Sequence, residues 1–393
     1  MSAGILMPRR LHIGAGASGQ LLATLAEFGL HRPMIVTDPF MVKCGYLEQI
    51  SAPLEAAGMP VGVFADCVPD PTTDSIAAGL AALGDFEPDV LIGFGGGSSM
   101  DTAKAMAAMA ERTGPLRDYK APARMETGLP IIAIPTTAGT GSEATSVAVV
   151  TDTDTDEKML CMGMGLMPLA ALVDYELTLS MPLRLTADTG LDTLCHALEA
   201  FVSRKANPFT DALACDVIAA VPKWLPVACA EPDNTAAREV MMMAALKGGM
   251  AFSNASVTLI HGMSRPIGAH FHVPHGMSNA MLLPVVTAWS IPGAPARYAQ
   301  ASQLMGFASA SDSEVRALEQ LVVGLTQLCA DLAVPTPRAF GISEADWFGI
   351  ADTMAAQALA SGSPANNPRV PDHAQILALY DQVWRSEVVS PAH

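Results

Sequence analysis

The chain has 393 residues, of which 50% are hydrophobic and 16% are charged, so it is long enough for two domains and can fill a sizeable core in each. Its formal net charge of −17 argues against nucleic acids and acidic membrane surfaces as partners, because polyanions would be repelled. A small molecule is the expected partner.

Up to about residue 175, short aliphatic runs alternate with helical periods. Four predicted strands lie in the runs LHIGAG, PMIVTD, PVGVFAD and DVLIGFGGG. Strands that alternate with helices indicate parallel βαβ units, and hence an α/β domain of the nucleotide-binding type. Three further runs fit additional strands, whose order in the sheet the sequence leaves open: LPIIAIPTT, SVAVVTD and LAALVD.

After about residue 182 the strand signals stop and amphipathic stretches follow, which predicts an all-helical domain. The change of period near Pro182 places the boundary, with an α/β Rossmann-like domain over 1–182 and an all-α domain over 183–393. The predicted helices cover about 185–204, 208–221, 235–252, 275–290, 313–333, 343–359 and 371–386.

The first glycine-rich motif is GAGASG at 14–19, which lies between a predicted strand and a predicted helix. A second strand follows it and ends at Asp38. In a dinucleotide fold such glycines let the backbone approach a pyrophosphate, and the later carboxylate binds the ribose hydroxyls. A turn that merely permits tight packing is an equally good interpretation.

A stronger signal is GFGGGSSMDTAKAMA at 93–107. Three successive glycines and two serines close a strand and open a helix, so bare backbone amides at a helix N-terminus can bind a diphosphate. The alternative is a plain turn in which Ser98 or Ser99 caps the helix. Three glycines in a row exceed what a cap requires, which favours phosphate binding.

The loop IPTTAGTGSEAT at 134–145 carries five hydroxyl side chains and two glycines after an apolar strand. It can offer donors to a cofactor, although a solvated turn would have a similar composition. Beside the triple glycine it supports one shared cofactor groove.

In the helical half, GLDTLCHALEAF places Asp192 and His196 four residues apart, on one face of a predicted helix. Burying both without a partner would be costly, so they either hydrogen-bond each other or bind a metal. Aspartate and histidine together are ordinary ligands of a divalent transition metal.

Four of the nine histidines lie in LIHGMSRPIGAHFHVPHGM at 259–277. If the chain loops between His261 and His275, both can face the aspartate and histidine of the preceding motif. His270 and His272 alternate with an aromatic residue, so at least one points elsewhere if that stretch is extended. Spacing alone does not choose among the four.

The whole chain resembles the iron-containing (group III) alcohol dehydrogenases, the family of lactaldehyde reductase and propanediol oxidoreductase, whose fold is like that of dehydroquinate synthase. The matching stretches occur in the family's order: IVTD at 35–38, GGGSSMDTAK at 95–104, PTTAGTGSEAT at 135–145, LTADTGLDTLCHALEAF at 185–201 and HGMSRPIGAHFHVPHG at 261–276.

By this resemblance four residues would bind the metal: Asp192, His196, His261 and His275. Iron(II) is the family expectation, and zinc suits the same ligands. The metal would act as a Lewis acid on the substrate oxygen during hydride transfer between NAD(H) and a small alcohol or aldehyde.

The resemblance also implies eleven dinucleotide contacts: Asp38, Asp70, Gly95, Gly96, Gly97, Ser98, Asp101, Thr136, Thr137, Thr140 and Lys158. An aspartate at position 38 would repel a 2′-phosphate, which favours NAD over NADP.

One residue departs from the family pattern. Many relatives carry another histidine four residues after the third metal ligand, near the substrate, whereas this chain has Arg265. An arginine is no base at neutral pH, but its planar fork can hold a carboxylate. We therefore hypothesise that Arg265 acts in the catalytic site on an anionic substrate group, or that the proton leaves through water or His270. The alternative is an arginine turned outward to a surface acid.

The expected activity is thus that of an iron-type NAD-dependent alcohol dehydrogenase. Alternatives are reduction of an anionic keto acid, as in maleylacetate reductase, and a reaction without net redox change, as in the dehydroquinate synthases. The latter would need a phosphate-binding cluster of Lys and Arg, which is not evident among the 22 basic residues. A non-catalytic binding protein would be expected to lack a ligand or the triple glycine, and all are present.

Seven scattered cysteines, odd in number and without a CxxC pair, indicate reduced thiols in a cytoplasmic protein. The first residues do not resemble a signal peptide, and no uncharged apolar run approaches the roughly 20 residues of a membrane span. We therefore expect a soluble protein with no membrane partner. The family resemblance implies a homodimer or a larger homo-oligomer.

Overall fold

In the computed structural model, which describes residues 2–386, the chain forms two compact units: Ile5–Ser180, and Met181 onward together with the first few residues. The strands of the first unit are β1 (Arg10–Ile13), β2 (Pro33–Val36), β3 (Gly62–Phe64), β4 (Val90–Gly95), β5 (Ile131–Pro135), β6 (Val147–Asp152), β7 (Glu157–Met162) and β8 (Ala170–Val173). Its α-helices are α1 (Leu21–Phe28), α2 (Pro39–Lys43), α3 (Tyr46–Ala56), α4 (Thr73–Phe86) and α5 (Gly97–Met109).

Six of these strands form one parallel sheet in the order β1-β8-β5-β4-β2-β3. Strands β2, β4, β5 and β8 are buried along their whole length, as is usual when helices cover both faces of a parallel sheet. One face packs against Leu25 and Leu54 of α1 and α3, and the other against Ala103 and Met106 of α5. The predicted parallel α/β fold is confirmed.

The run SVAVVTD forms strand β6, but this strand lies outside the main sheet. It pairs antiparallel with β7, a strand that the sequence pattern does not indicate. Buried and partly exposed residues alternate along β6, because only one face of the hairpin packs against the body of the unit. Ala148 and Val150 from this face share an apolar cluster with Ala105 and Ala108 of α5.

The second unit is all-helical over the residues described. Its helices are α6 (Leu183–Val202), α7 (Pro208–Ala230), α8 (Thr235–Ala255), α9 (Leu259–Phe271), α10 (His275–Ser290), α11 (Pro295–Leu304), α12 (Glu314–Asp331), α13 (Pro337–Phe340), α14 (Glu344–Gly349), α15 (Ala351–Ala360) and α16 (His373–Arg385). Helix α6 is central: sixteen of its 20 residues are buried, and it packs against α7, α8 and α10. The predicted helical half is confirmed.

Helix α9 covers most of the segment between His261 and His275, for which the sequence analysis considered a loop. Its residues Gly262, Pro266 and Gly268 have low helix propensity, which is why the pattern does not indicate a helix. Tertiary packing outweighs that preference. A Cβ on Gly262 would lie 2.7 Å from the ring of Pro364, so the glycine lets the helix pack closely there.

Helix α7 is long and apolar enough to meet a length and composition test for a membrane span, the one such helix among the residues described. Core helices of globular proteins pass the same test. Here 39% of the tested stretch is buried, and the helix packs against α6 and α8.

Candidate functional site

Four side chains of the helical unit converge on one point. Asp192 and His196 extend from α6, His261 from the first turn of α9, and His275 is the first residue of α10. One ligand-type atom from each lies within 4.8 Å of the others. Asp192, His196 and His261 are buried, whereas the side chain of His275 remains 35% exposed. Three members of the cluster are therefore shielded from solvent, whereas His275 is partly accessible.

The carboxylate of Asp192 faces three imidazoles. Its Oδ1 atom lies 3.4 Å from Nε2 of His261 and 3.8 Å from Nε2 of both His196 and His275. Burial alone would raise the pKa of Asp192, but the three imidazoles outweigh it and hold this pKa well below its usual range. The cluster thus presents one charged oxygen and three ring nitrogens to a common space.

A second buried carboxylate, Glu199, orients His261. Its Oε1 accepts hydrogen bonds from Thr258 Oγ1 at 2.8 Å and from the backbone amide of Ile260 at 2.7 Å. Its Oε2 pairs with Nδ1 of His261, so the other ring nitrogen, Nε2, is the one directed at Asp192. Burial opposes protonation of His261, but Glu199 and Asp192 together raise its pKa to about 9.

Glu199 and Asn279 are parts of this cluster that the sequence analysis misses. Glu199 lies seven residues after Asp192, so helical spacing within GLDTLCHALEAF was a usable signal for it. Asn279 lies one turn after His275 on α10, and its amide nitrogen contacts three of the four clustered side chains. A single asparagine in an apolar helix gives no comparable signal.

The donor set fits a divalent transition metal. One carboxylate and three neutral imidazoles are a common protein environment for Fe(II) or Zn(II), and a carboxylate behind one imidazole is the usual support of such a ligand. The buried amide oxygen of Asn279, beside the cluster, has no hydrogen-bond partner. The chemistry of this donor set is therefore suited to a divalent cation.

Arg265 lies one turn after His261 on α9 and is buried, with 9% of its surface exposed. Its Nη1 donates to the hydroxyl of Ser363 at 3.0 Å, and no carboxylate among residues 2–386 lies within salt-bridge distance of it. Burial lowers its pKa to about 10, so it stays charged at neutral pH. The alternative of an outward arginine paired with a surface acid is wrong.

The two remaining histidines of the motif lie outside the cluster. Nε2 of His270 is 2.9 Å from the side-chain oxygen of Gln357, and His272 terminates α9 with a left-handed backbone conformation. Neither belongs to the group of four convergent side chains.

The proposed dinucleotide residues follow three adjacent strands of the α/β unit. Asp38 follows β2, the glycine turn follows β4, and the threonine loop follows β5. A Cβ on Gly95 would lie 3.2 Å from Oδ2 of Asp38, and one on Gly97 would lie 2.8 Å from the side chain of Thr140. Thr137 similarly flanks Gly96. Because these strands are neighbours, the structure brings all three loops together.

Hydrogen bonds and one ion pair connect the residues of these loops to neighbouring parts of the α/β unit. Asp38 caps α2 by accepting hydrogen bonds from two backbone amides, and its second oxygen accepts one from Ser99 at 3.3 Å. The backbone amide of Asp70 donates to Ser98 Oγ at 3.2 Å, and Lys158 forms a 3.0 Å ion pair with Asp70. The backbone amide of Thr136 donates to the carbonyl of Gly95 at 2.9 Å.

The carboxylate of Asp101 is bound within the α/β unit and is not directed at the three coenzyme-type loops. Its carboxylate accepts hydrogen bonds from Ser142 Oγ at 2.7 Å and from the amide of Val149 at 2.9 Å, and burial raises its pKa. Beside it, fully buried Lys104 donates to the carbonyls of Ser142 and Val147. Both residues connect α5 to the threonine loop and the β6–β7 hairpin. Asp101 therefore stabilises the conformation of the loop through its bonds to Ser142 and Val149.

The motif GAGASG donates hydrogen bonds to two carboxylates of the same unit. The amide of Gly16 donates to Asp174 Oδ1 and Glu176 Oε2 at 3.2 and 3.1 Å, and both the amide and the hydroxyl of Ser18 donate to Asp174 Oδ2. These carboxylates would repel a phosphate. The motif is therefore a packing turn, the second of the two interpretations that the sequence allowed.

Comparison with known proteins gives matches along nearly the whole chain. The family model described as iron-containing alcohol dehydrogenase matches residues 8–175, and that described as Fe-containing alcohol dehydrogenase family, C-terminal, matches residues 186–384. Long-chain-alcohol dehydrogenase 1 of Geobacillus thermodenitrificans is 36% identical over 99% of this chain and 98% of its own. NAD-dependent methanol dehydrogenase of Bacillus methanolicus is 35% identical over 93% of this chain and 96% of its own. The crystal structure of a 1,3-propanediol oxidoreductase superposes with a TM-score of 0.92 at 33% identity, covering 98% of this chain and all of the other.

Proposed function

The chain belongs to the iron-containing alcohol dehydrogenase family, and from that premise we propose that it transfers a hydride between NAD(H) and a small alcohol or aldehyde held at the cluster of Asp192, His196, His261 and His275. The observation that carries the proposal is the convergence of one carboxylate and three imidazoles, of which three side chains are buried and one is partly exposed. Relatives named as NAD-dependent or long-chain alcohol dehydrogenases support the reaction class.

We propose iron(II) as the metal, in keeping with the family, with zinc as the alternative that the same donors accept. A divalent ion held by these four residues would supply Lewis acidity, which polarises a carbonyl oxygen or lowers the pKa of an alcohol. Asp192 contributes the negative charge of the cluster, and Glu199 fixes the orientation of His261. The partly exposed side at His275 leaves room for a small substrate.

The proton has to leave without a dedicated base at the family's usual position. Arg265 occupies that position and keeps its proton at neutral pH, since its pKa is about 10. We propose that the proton of the alcohol passes to solvent on the exposed side of the cluster. His270 is engaged with Gln357 and is not one of the convergent residues, which favours the route through water.

We propose that the coenzyme binds at the three loops after β2, β4 and β5. Its nicotinamide supplies the carbon that accepts or donates the hydride. The proposed contacts are Asp38, Asp70, Gly95, Gly96, Gly97, Ser98, Thr136, Thr137, Thr140 and Lys158. The amides of the glycine turn suit a diphosphate, and the carboxylate of Asp38 disfavours a 2′-phosphate, so we propose NAD rather than NADP.

A second candidate for the substrate class follows from Arg265. A buried guanidinium without a carboxylate at salt-bridge distance is costly unless it meets an anion, and Nη1 of Arg265 donates to the neutral hydroxyl of Ser363. We therefore propose aldehydes or keto acids with an anionic group as the alternative to neutral substrates. The anionic keto acid of a maleylacetate reductase-like reaction falls in this class.

The test is NADH oxidation by metal-free protein to which Fe(II) or Zn(II) is restored, with neutral aldehydes and their carboxylated counterparts. Metal-dependent turnover supports the dehydrogenase, and the preferred member of each pair identifies the substrate class. An Asp192→Asn variant serves as the matched control, because it removes the charge but little volume. Absence of metal-dependent turnover on either class would overturn the proposal and favour a reaction without net redox change.

We also propose that the protein works in the cytoplasm as a homodimer or larger homo-oligomer, with dinucleotide binding in residues 1–182 and metal binding in residues 183–393. Seven cysteines, none of them in a disulfide, support a reducing compartment. Light scattering of the purified protein would test the assembly, and a monomer would overturn that part.

A further inference from the structure

Gly276 is the second residue of helix α10 and directly follows His275. Glycine is unfavourable in a helix relative to alanine, so its presence there calls for a reason. A Cβ on Gly276 would lie 2.3 Å from the carbonyl oxygen and 2.8 Å from the carbonyl carbon of Asp188 on α6. Both contacts are with backbone atoms, so no change of rotamer can relieve them. The two helices therefore approach each other at this point only because position 276 has no side chain.

This close approach joins two members of the convergent group. Asp188 lies one helical turn before Asp192 on α6, and a Cβ on Gly276 would also lie 3.4 Å from the Cβ of Asp192. On the other helix, His275 precedes the glycine, and its Nε2 lies 3.8 Å from Oδ1 of Asp192. Gly276 is thus in contact with the turn that carries one proposed ligand and is covalently joined to another.

Helix α6 is the firmly held side of this contact. Sixteen of its 20 residues are buried, and the carboxylate of Asp188 accepts a hydrogen bond from Arg184 at 2.5 Å. Arg184 also donates to two carbonyls at the end of α12. The start of α10 is less enclosed, because Pro274 is exposed and both His275 and Gly276 are half-buried. A side chain at position 276 would therefore displace the first turn of α10 rather than α6.

The other two histidines are held by different contacts. The ring of His196 stacks on Phe252 with 4.2 Å between the ring centroids, and Nδ1 of His261 is paired with Glu199. A displacement of the first turn of α10 would therefore withdraw His275 and leave these two in place. Its size would be on the order of 1 Å, the difference between 2.3 Å and ordinary van der Waals contact.

We propose that Gly276 is a positioning residue of the metal site: the lack of a side chain lets α10 approach Asp188 closely enough for His275 to share a cation with Asp192. The inference rests on the proposed function, since it presumes a metal at these side chains. Gly276 has no group that could bind the metal, so it acts through His275. Metal–ligand distances have to be met within about 0.2 Å, which makes a shift of this size significant.

The test compares wild type with Gly276→Ala, the smallest change that introduces a Cβ. The matched control is Gly293→Ala, because a Cβ on Gly293 would lie 2.5 Å from the backbone nitrogen of Arg369, an equally tight backbone contact of the same unit outside the convergent group. Two quantities are measured: the Zn(II) dissociation constant by competition with a chelator, and the visible absorption spectrum of the Co(II)-loaded protein, which reports the geometry of the ligands. The affinity measurement is repeated in a His275→Ala background.

We expect Gly276→Ala to weaken Zn(II) binding about tenfold or more and to change the Co(II) spectrum. Gly293→Ala should lower the thermal midpoint by a similar amount and leave both metal readouts unchanged. In the His275→Ala background, Gly276→Ala should cause no further loss of affinity, because the imidazole through which it acts has been removed. Additive losses of affinity, or an unchanged affinity in Gly276→Ala itself, would overturn the inference.

Pro274→Gly is the second variant if Gly276→Ala does not fold. Pro274 is exposed, and its replacement loosens the entry into α10 without altering the contact with Asp188. Its Zn(II) affinity should equal that of wild type. A loss as large as that in His275→Ala would show that the entry of the chain positions the histidine, which would overturn the role of Gly276. If wild type itself binds no Zn(II), the proposed function fails, and the two failures are thereby distinguished.

Discussion

Glu199 and His261 form a buried pair in which Oε2 of the carboxylate meets Nδ1 of the ring, and this contact decides which ring nitrogen reaches the cluster. With Nδ1 engaged, Nε2 lies 3.4 Å from Asp192 Oδ1. A single carboxylate outside the proposed ligand set thus orients the ring of His261 so that Nε2 faces the cluster.

Replacing Glu199 by glutamine should weaken metal binding by about 10- to 100-fold, because the neutral amide no longer stabilises the His261 orientation that the metal requires. Titration with Zn(II) against a chelator would measure the change. Glu143→Gln is the control, since Glu143 is a buried acid of the α/β unit, outside the cluster. An unchanged zinc affinity in Glu199→Gln would contradict the assigned role.

Glu143 should make the metal-free protein lose stability between about pH 4.5 and pH 7. Burial raises its pKa from 4.5 to about 7, and Lys104 offsets only part of that rise. A raised pKa means that the folded protein binds the proton more tightly, so this contribution is present at low pH and is lost as the pH rises through 7. The loss amounts to roughly 3 kcal/mol for an isolated group.

Glu143→Gln should therefore flatten the fall of the thermal midpoint across this range and should raise the midpoint at pH 8. Unfolding followed from pH 4.5 to pH 8 would measure both effects. Glu111→Gln, at an exposed position, is the control. A slope as steep as in wild type would show that Glu143 does not titrate as described.

Arg265→Gln should raise KM for carboxylated aldehydes about tenfold or more while leaving the neutral counterparts nearly unchanged, if the substrate carries an anion. A hydrogen bond to a charged group contributes about 1.5–3 kcal/mol, which corresponds to that factor. Arg265→Lys should restore little, because lysine lacks the planar fork. Ser363→Ala removes only the internal bond of the arginine and is the structural control. An equal increase in KM for carboxylated and neutral aldehydes would show that Arg265 does not bind an anionic group of the substrate.

Asp38→Asn should reduce the preference for NADH over NADPH by about tenfold, since it removes the charge that repels a 2′-phosphate. Asparagine retains an oxygen that can cap α2, so the local fold should persist. The measurement is kcat/KM for both coenzymes with one aldehyde. A variant that still rejects NADPH as strongly as wild type would show that Asp38 does not set the choice.

The sequence predicts the architecture well, because strand and helix periods differ clearly on either side of Pro182. It fails where tertiary contacts outweigh local preference. Helix α9 contains two glycines and a proline, and the close packing of Gly262 against Pro364 is not visible in a linear pattern. The partner of β6 is missed for a related reason, since β7 is half-buried and carries charged residues.

For the site, the four residues that the family resemblance assigns to the metal lie together, while the residues that support them are harder to predict. Glu199 was accessible through helical spacing from Asp192, but Asn279 acquires its place only when α10 packs beside α6. Asp101 is a residue for which the motif suggested a coenzyme contact and the structure suggests a different role. Its carboxylate accepts hydrogen bonds from Ser142 and Val149 of the same unit, which only the three-dimensional arrangement reveals.

The uneven exposure of the four convergent side chains has a kinetic consequence. Asp192 and His196 belong to the most deeply packed helix of their unit, so they cannot reach solvent without disrupting it. His275, on the first turn of α10, is the only one of the four with substantial exposure. Exchange of a bound ion with the surroundings should therefore pass His275, at a rate set by fraying of that one turn rather than by opening of the whole unit.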